Sequence, residues 1–244
     1  MDEADRHRSR PAAHVRYADI HREGGWSGDP RRYGESMAVL AGDLAWTYAD
    51  YLMADLSPAV TREWFELRAE LVTGQAVDVT AAAERRPDTE AARYISLVKS
   101  GRYTVHRPLV IGALLAGRSD LTVAFQRYGE ALGEAFQLRD DLIDAFGDGR
   151  VSGKPAGLDL VSGKRTLLLA LAVRFDGAFR DLVERGEAQA LRERLSGSAA
   201  HREVEAWINQ LVALAHETLA TAELPVEWQR RLAALACEVA YRDS

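Results

Sequence analysis

The sequence predicts an all-α protein, and three observations carry that prediction. Alanine makes up about one residue in six of the 244 and isoleucine is rare, a mixture that favours helix over strand. Apolar residues recur at helical spacing in several segments. No convincing stretch alternates with a period of two.

The elements follow in order. A loop is expected to about Asp29, ending in Gly28-Asp29-Pro30. Leu40, Leu44, Tyr48 and Leu52 then form an i+4 ridge that predicts a helix over 33–56. Ser57-Pro58 breaks it, and a proline in the first turn starts a second helix over 59–79. Arg86-Pro87-Asp88 and Ala116-Gly117-Arg118 bound a third over 88–115. A fourth covers 119–146 and stops at Gly147. After a loop rich in glycine and charge, helices are expected over 163–175, 177–195, 199–221 and 226–242. Trp207, Leu211 and Leu214 mark one face of the first of the last two, and the stripe turns polar at Thr218. Trp228, Leu232, Leu235 and Val239 mark one face of the last. No linker rich in proline or serine divides the chain, so a single domain over 1–244 is expected.

Composition excludes several classes. With 47% hydrophobic and 28% charged residues, disorder is not the main state. A net charge of −6 argues against nucleic acid as the main partner. The one cysteine, Cys237, rules out an intrachain disulfide and a cysteine metal cluster. The longest uninterrupted apolar run, Leu167 to Val173, is far too short to span a bilayer. The acidic start lacks the apolar stretch of a signal peptide, so the cytoplasm is the expected location.

The most informative segment is Gly133-Glu134-Ala135-Phe136-Gln137-Leu138-Arg139-Asp140-Asp141-Leu142-Ile143-Asp144. Asp140 and Asp144 are four apart and stack on one helix edge; Asp141 borders it, and Gln137 lies one turn earlier. Like charges at that spacing destabilise a helix, and acidic groups in its last turns oppose the dipole. Something should compensate them, and a hard divalent cation is the natural candidate. Magnesium takes one or two carboxylates, keeps several waters, and draws its other ligands from substrate phosphates. The bland alternative is a solvated acidic face with Arg139 as a partial partner. The loop that follows favours the metal, because Lys154, Lys164 and Arg165 come beside Gly153, Gly157 and Gly163. Carboxylates, a metal and lysines together make a diphosphate site.

Other polar groups read more plainly. A lone lysine such as Lys99 is usually a solvated surface group. The basic stretch around Arg8 and His14 reads on its own as a frayed terminus. Asp43, Gln75 and Asp78 read as buried polar residues that hydrogen-bond backbone.

The sequence resembles the trans-prenyltransferases, the polyprenyl diphosphate synthase family. Phe136-Gln137-Leu138-Arg139-Asp140-Asp141-Leu142-Ile143-Asp144 is similar to the family's second aspartate-rich motif. Gly153-Lys154-Pro155 and Gly163-Lys164-Arg165-Thr166 are similar to the loop after it. Gly42-Asp43-Leu44, Gly74-Gln75 with Asp78, and Lys99-Ser100-Gly101 match shorter landmarks in the right order. At the N-terminus the match is incomplete. Met1-Asp2 looks like the end of the first aspartate-rich motif, with His7, Arg8, Ser9 and Pro11 in the stretch the family writes Arg-Arg-Gly-x-Pro. The earlier aspartates and helices of that motif would lie before residue 1.

The resemblance implies an isoprenoid synthase-type helical bundle lacking its first helices. An apolar groove should then be left on the helices that remain, with low solubility or a need for a partner chain. It also implies a magnesium-dependent prenyltransferase that joins isopentenyl diphosphate to an allylic diphosphate, commonly as a homodimer. Asp140, Asp141 and Asp144 would hold magnesium, with Asp2 as the remnant of the opposite cluster. Lys99, Lys154 and Lys164 would contact the allylic diphosphate, with Lys99 and Lys164 assisting its departure. Arg8 and His14 would contact isopentenyl diphosphate, and Gln137 would face the reacting centre. The run Lys99 to Leu109 is similar to bacterial geranylgeranyl diphosphate synthases, which implies that product. Two alternatives stand beside this reading. A class I terpene cyclase shares fold and metal chemistry, but the Asp140-Asp141-Leu142-Ile143-Asp144 run and the lysine loop argue against it. A non-catalytic or truncated partner subunit of a synthase fits the incomplete first motif. A plain helical interaction protein does not explain the ordered motifs.

Overall fold

A computed structural model describes residues 5–7, 10–84, 89–147 and 166–242. The chain divides into two compact units, residues 1–57 and 58–244.

In the first unit two-residue strands β1 (Arg6–His7) and β2 (Arg10–Pro11) pair antiparallel, and α1 (Ala13–Glu23) and α2 (Pro30–Met53) follow. The Asp29 side chain accepts from the backbone N–H of Arg31 at 2.8 Å, and Pro30 sits in the first turn, so α2 starts earlier than its apolar ridge suggests. Helix α1 lies where a loop is expected from sequence. It buries only Ala18 and His21, too little for an apolar periodicity. It seats on α2 at Gly34, where an added Cβ would lie 2.1 Å from the His14 carbonyl oxygen.

The second unit opens with α3 (Pro58–Glu84) and α4 (Thr89–Ile95). A π-helical segment (Ser96–His106) runs into α5 (Arg107–Leu115), and a 3-10 turn (Ser119–Leu121) leads to α6 (Thr122–Phe146). Among the described residues, α7 (Leu167–Phe175), α8 (Ala178–Arg185), α9 (Ala188–Leu195), α10 (Ala199–Thr221) and α11 (Val226–Ala240) follow. The helix expected over 177–195 is two helices, because Gly186 takes a left-handed φ of 67° and ends α8.

Helix α6 is the axis of this unit. Tyr128, Leu132, Ala135, Leu138 and Leu142 are buried in one cluster with Val204, Ile208 and Ala215 of α10 and Leu168 and Ala172 of α7. Truncating Leu138 to Ala would cost about 2–5 kcal/mol. Tyr128 is fully buried because its hydroxyl donates to the Leu232 carbonyl at 2.8 Å, and burial pushes its pKa up.

A charged seam joins α3 to the π segment and α5. The buried Arg107 guanidinium donates to Glu66 and Glu70, both at 2.9 Å, and to Glu63. Arg102 links Glu70 at 2.7 Å to Glu130 of α6 at 3.1 Å. Burial alone would raise the Glu70 pKa, but hydrogen bonds and charge from Arg107 and Arg102 outweigh it and hold the carboxyl below its ordinary value.

Candidate active site

The face of α6 that meets the π segment is cut by two glycines one turn apart. A Cβ at Gly133 would lie 2.0 Å from the Gly101 Cα, and one at Gly129 would lie 2.3 Å from the His106 Cα. Only glycine admits the neighbouring backbone at that approach. The notch seats Gly101 on Gly133, so Lys99 stands two residues from the contact. Gln137 follows one turn further along α6, and Asp140 and Asp141 lie two turns on.

Lys99 is neither solvated nor alone. Its Nζ donates to Asp78 Oδ2 of α3 at 2.6 Å, and both side chains are half-buried. The expectation that Asp78 bonds backbone is therefore corrected: it orients a lysine 21 residues away. Gln75, one turn earlier on α3, has a buried amide nitrogen without a hydrogen-bond partner among the described residues. Asp43 is exposed rather than buried. Gln75 and Asp78 are thus site candidates that a reading by residue type sets aside. The available signal was their spacing, Gly74-Gln75 with Asp78, since Gly74 also gives Val98 and Lys99 room against α3.

The acidic edge is partly compensated from within. Gln137 donates its amide to Asp141 Oδ1 at 2.8 Å, and Asp141 is buried. Asp144 lies one turn beyond Asp140 on the same edge and is half-buried. Arg139 does not face the aspartates. It forks onto Glu205 of α10 at 2.8 and 3.0 Å and donates to the Ala240 carbonyl at 2.6 Å. The cation at Asp140 is instead Arg242, at 2.7 Å, from a residue that sequence reading did not single out.

The residues fit a hard divalent ion. Carboxylates are the right donors, and Asp140 is more than half exposed. Among the described residues no three His, Cys, Asp or Glu side chains already form a metal cage.

A cavity of about 990 Å³ lies elsewhere, lined by Arg93, Leu97, Glu134, Leu211 and their neighbours on α6 and α10. Its carboxylates (Asp120, Glu130, Glu134, Glu217, Glu223) outnumber Arg93 and Arg127, so its charge repels a diphosphate. The aspartate edge, which can take a metal, is the better anion site.

His14 lies on α1 in the first unit, with Nε2 3.7 Å from Asp5 Oδ1. Asp2, Arg8, Lys154 and Lys164 lie outside the described residues.

A family model of polyprenyl synthetases matches residues 1–203. The chain belongs to that family. It is 30% identical to a nonaprenyl diphosphate synthase of Mycobacterium tuberculosis over 96% of this chain and 68% of that protein. It is 32% identical to a geranylfarnesyl diphosphate synthase of Aeropyrum pernix over 69% of this chain and 55% of that one. The crystal structure of a geranylgeranyl pyrophosphate synthase from Corynebacterium glutamicum, complexed with isoprenyl diphosphate and magnesium, superposes with a TM-score of 0.89. That match has 34% identity and covers 99% of this chain and 73% of that one. The chain therefore spans between about half and three quarters of the proteins it is similar to. The all-α fold expected from sequence is that of these relatives.

Proposed function

We propose that this chain is a prenyltransferase that condenses isopentenyl diphosphate with an allylic diphosphate, with residues 1–244 acting as one polyprenyl synthase domain. The observation that supports the reading is the carboxylate edge of α6, on the helix whose Gly133 seats Gly101, two residues from the Lys99 that α3 holds through Asp78. Magnesium fits Asp140, Asp141 and Asp144; when bound it would neutralise the diphosphate and make it a better leaving group. Lys99, Lys154 and Lys164 donate to the allylic diphosphate and stabilise the charge that grows on it as the C–O bond breaks. Asp78 keeps the Lys99 ammonium on the α3 side until a diphosphate competes for it. Gln137, whose amide nitrogen donates to Asp141, would face the reacting allylic carbon. Asp2 would add a further carboxylate for the metal, and Arg8 and His14 would hold the isopentenyl diphosphate that attacks that carbon and then loses a proton. No side-chain nucleophile is required.

Geranylgeranyl diphosphate is the proposed product, supported by the Lys99 to Leu109 run and by the geranylgeranyl synthase among the similar structures. The cytoplasm is the proposed location; among the described residues no helix is long and apolar enough to cross a membrane. A homodimer is proposed as the working form. Leu40, Leu44, Tyr48 and Leu52 form an apolar ridge on α2 with each side chain 54–77% exposed, a face that a second copy would cover. The same ridge supports a second reading, a partner subunit that docks on an intact synthase.

A condensation assay tests these readings. The chain is given magnesium, isopentenyl diphosphate and, in turn, dimethylallyl, geranyl and farnesyl diphosphates, with products read by mass. A twenty-carbon diphosphate is the expected product. A folded, helical protein that makes none overturns the enzyme reading in favour of the partner subunit.

A further inference from the structure

The acidic edge of α6 already carries a cation, and it comes from the far end of the chain. Arg242 Nη2 donates to Asp140 Oδ1 at 2.7 Å across 102 residues of sequence. Its guanidinium lies over the Phe136 ring, 4.2 Å from the centroid, so the whole side chain follows the Phe136–Asp140 edge of α6. The backbone before it is anchored. The Ala240 carbonyl accepts from Arg139 Nε at 2.6 Å, and the Tyr241 hydroxyl donates to Asn209 Oδ1 at 2.8 Å. Three consecutive residues, 240 to 242, are thus fastened to α6 and α10 beside the aspartates.

We propose that Arg242 is the resident counter-ion of Asp140, and that a divalent cation loads this edge by displacing it. The proposal rests on the reading of Asp140 as a metal ligand. Arginine keeps its charge at any accessible pH, so the carboxylate is neutralised whenever the metal is absent. A metal ion and a guanidinium draw on the charge of the same carboxylate and repel each other at that range, so each lowers the affinity of the other. The contact is strong enough to hold the carboxylate and weak enough to yield. It is made by one nitrogen to one oxygen, with 55% of the Asp140 side chain and 27% of the Arg242 side chain exposed. The Arg242 Nε is buried with no hydrogen-bond partner among the described residues, so the fork is not closed on its carboxylate. The aspartates sit in the last turns of α6, where the helix dipole disfavours them, and Arg242 relieves that until the metal arrives.

The test is a titration of the substrate-free full chain with Mn²⁺, read by the electron paramagnetic resonance of the free ion and repeated with Mg²⁺ as competitor. Arg242→Gln should bind the ion about two- to fivefold more tightly than wild type, the range for a half-exposed ion pair, and Arg242→Lys should stay near wild type. Unchanged or weaker binding by Arg242→Gln overturns the proposal, as does the absence of binding to both proteins. A second measurement needs no variant. Phenylglyoxal labelling mapped by mass spectrometry should modify Arg242 faster in wild type when the divalent ion is saturating. Equal rates with and without metal overturn the proposal even if Arg242→Gln fails to fold. Neither readout depends on turnover. Tightened metal binding in a chain that makes no prenyl diphosphate would keep the exchange and remove only the synthase reading; the converse would do the opposite.

Discussion

Two clusters of carboxylates in the second unit differ in what neutralises them. On α3, Glu63, Glu66 and Glu70 converge on the buried Arg107, with Arg102 as a second cation. Every bond there is between helices, and the fork of Arg107 is filled. On α6, Asp140 meets one nitrogen of a chain-end arginine, and Asp141 meets a neutral amide. The first cluster is closed by its own cations and fastens α3 to α5. In the second, Asp140 stands at an accessible edge and is held by a single nitrogen of Arg242. Counting acidic residues would rank the two alike, or favour the first. Asking where each compensating cation comes from separates a structural cluster from one that can take an external ion.

Breaking each cluster in turn should give opposite outcomes. The largest effect is expected at the α6 edge. Asp140→Ala should lower the rate of condensation by about a hundredfold or more, while the urea midpoint and helicity stay near wild type, because an exposed edge residue contributes little to folding. A variant that retains full turnover would take Asp140 out of the site. Arg107→Leu should do the reverse. It leaves three carboxylates without their main cation and should destabilise the protein by about 3 kcal/mol, toward the low end for buried pairs because Glu66 reaches solvent. Urea unfolding gives that number, and a loss under about 0.5 kcal/mol would contradict the structural role.

A smaller effect sharpens the link between the site and α3. Lys99→Gln should raise the KM for the allylic diphosphate by about tenfold, the scale of one charge-assisted hydrogen bond. Asp78→Asn should change KM in the same direction by less, because the lysine keeps its charge and loses only its tether. If Asp78→Asn were the more damaging of the two, Asp78 itself would have to contact substrate.

Acid should weaken the closed cluster in two stages. Burial holds the His106 imidazole below its ordinary range, the charge of Arg107 adds to this, and Glu130 only partly opposes it. The unfolded chain therefore takes up that proton first. The stability linked to His106 is complete above about pH 6.5 and declines as the pH falls below it. Glu70 is held below the free carboxyl range, so its contribution is present above about pH 4.3 and disappears as the pH falls through its folded value. Urea midpoints measured from pH 8 to 3 should show both stages, and His106→Gln should remove the upper one.

Much of this was legible in the sequence, for physical reasons that differ by element. Helix α10 spans 199–221 as expected, but it packs against α6 through Val204, Ile208, Leu211 and Ala215, while Leu214 of the stripe read from sequence is 47% exposed. The carboxylate edge was legible because i,i+4 spacing fixes which side chains share a helix face. Helix α1 was hidden because glycine contact, not apolar burial, seats it on α2. The stretch 89–115 reads as one helix, yet its middle is a π segment, and only the facing glycines of α6 explain why a wider turn fits there. The partners of Lys99 and Asp140 lie 21 and 102 residues away, and periodicity carries no information at that range. Arg139 was the adjacent cation and faced the other way, toward Glu205.

The most direct test of the contrast between the clusters is metal-dependent binding of a non-reactive allylic diphosphate analogue, measured by calorimetry on wild type, Asp140→Asn and Glu63→Gln. Binding should require magnesium in wild type, weaken by at least about tenfold in Asp140→Asn, and stay within about twofold of wild type in Glu63→Gln. Magnesium-dependent binding that survives Asp140→Asn and is lost in Glu63→Gln would contradict the account, because the external cation would then belong to the cluster that Arg107 closes.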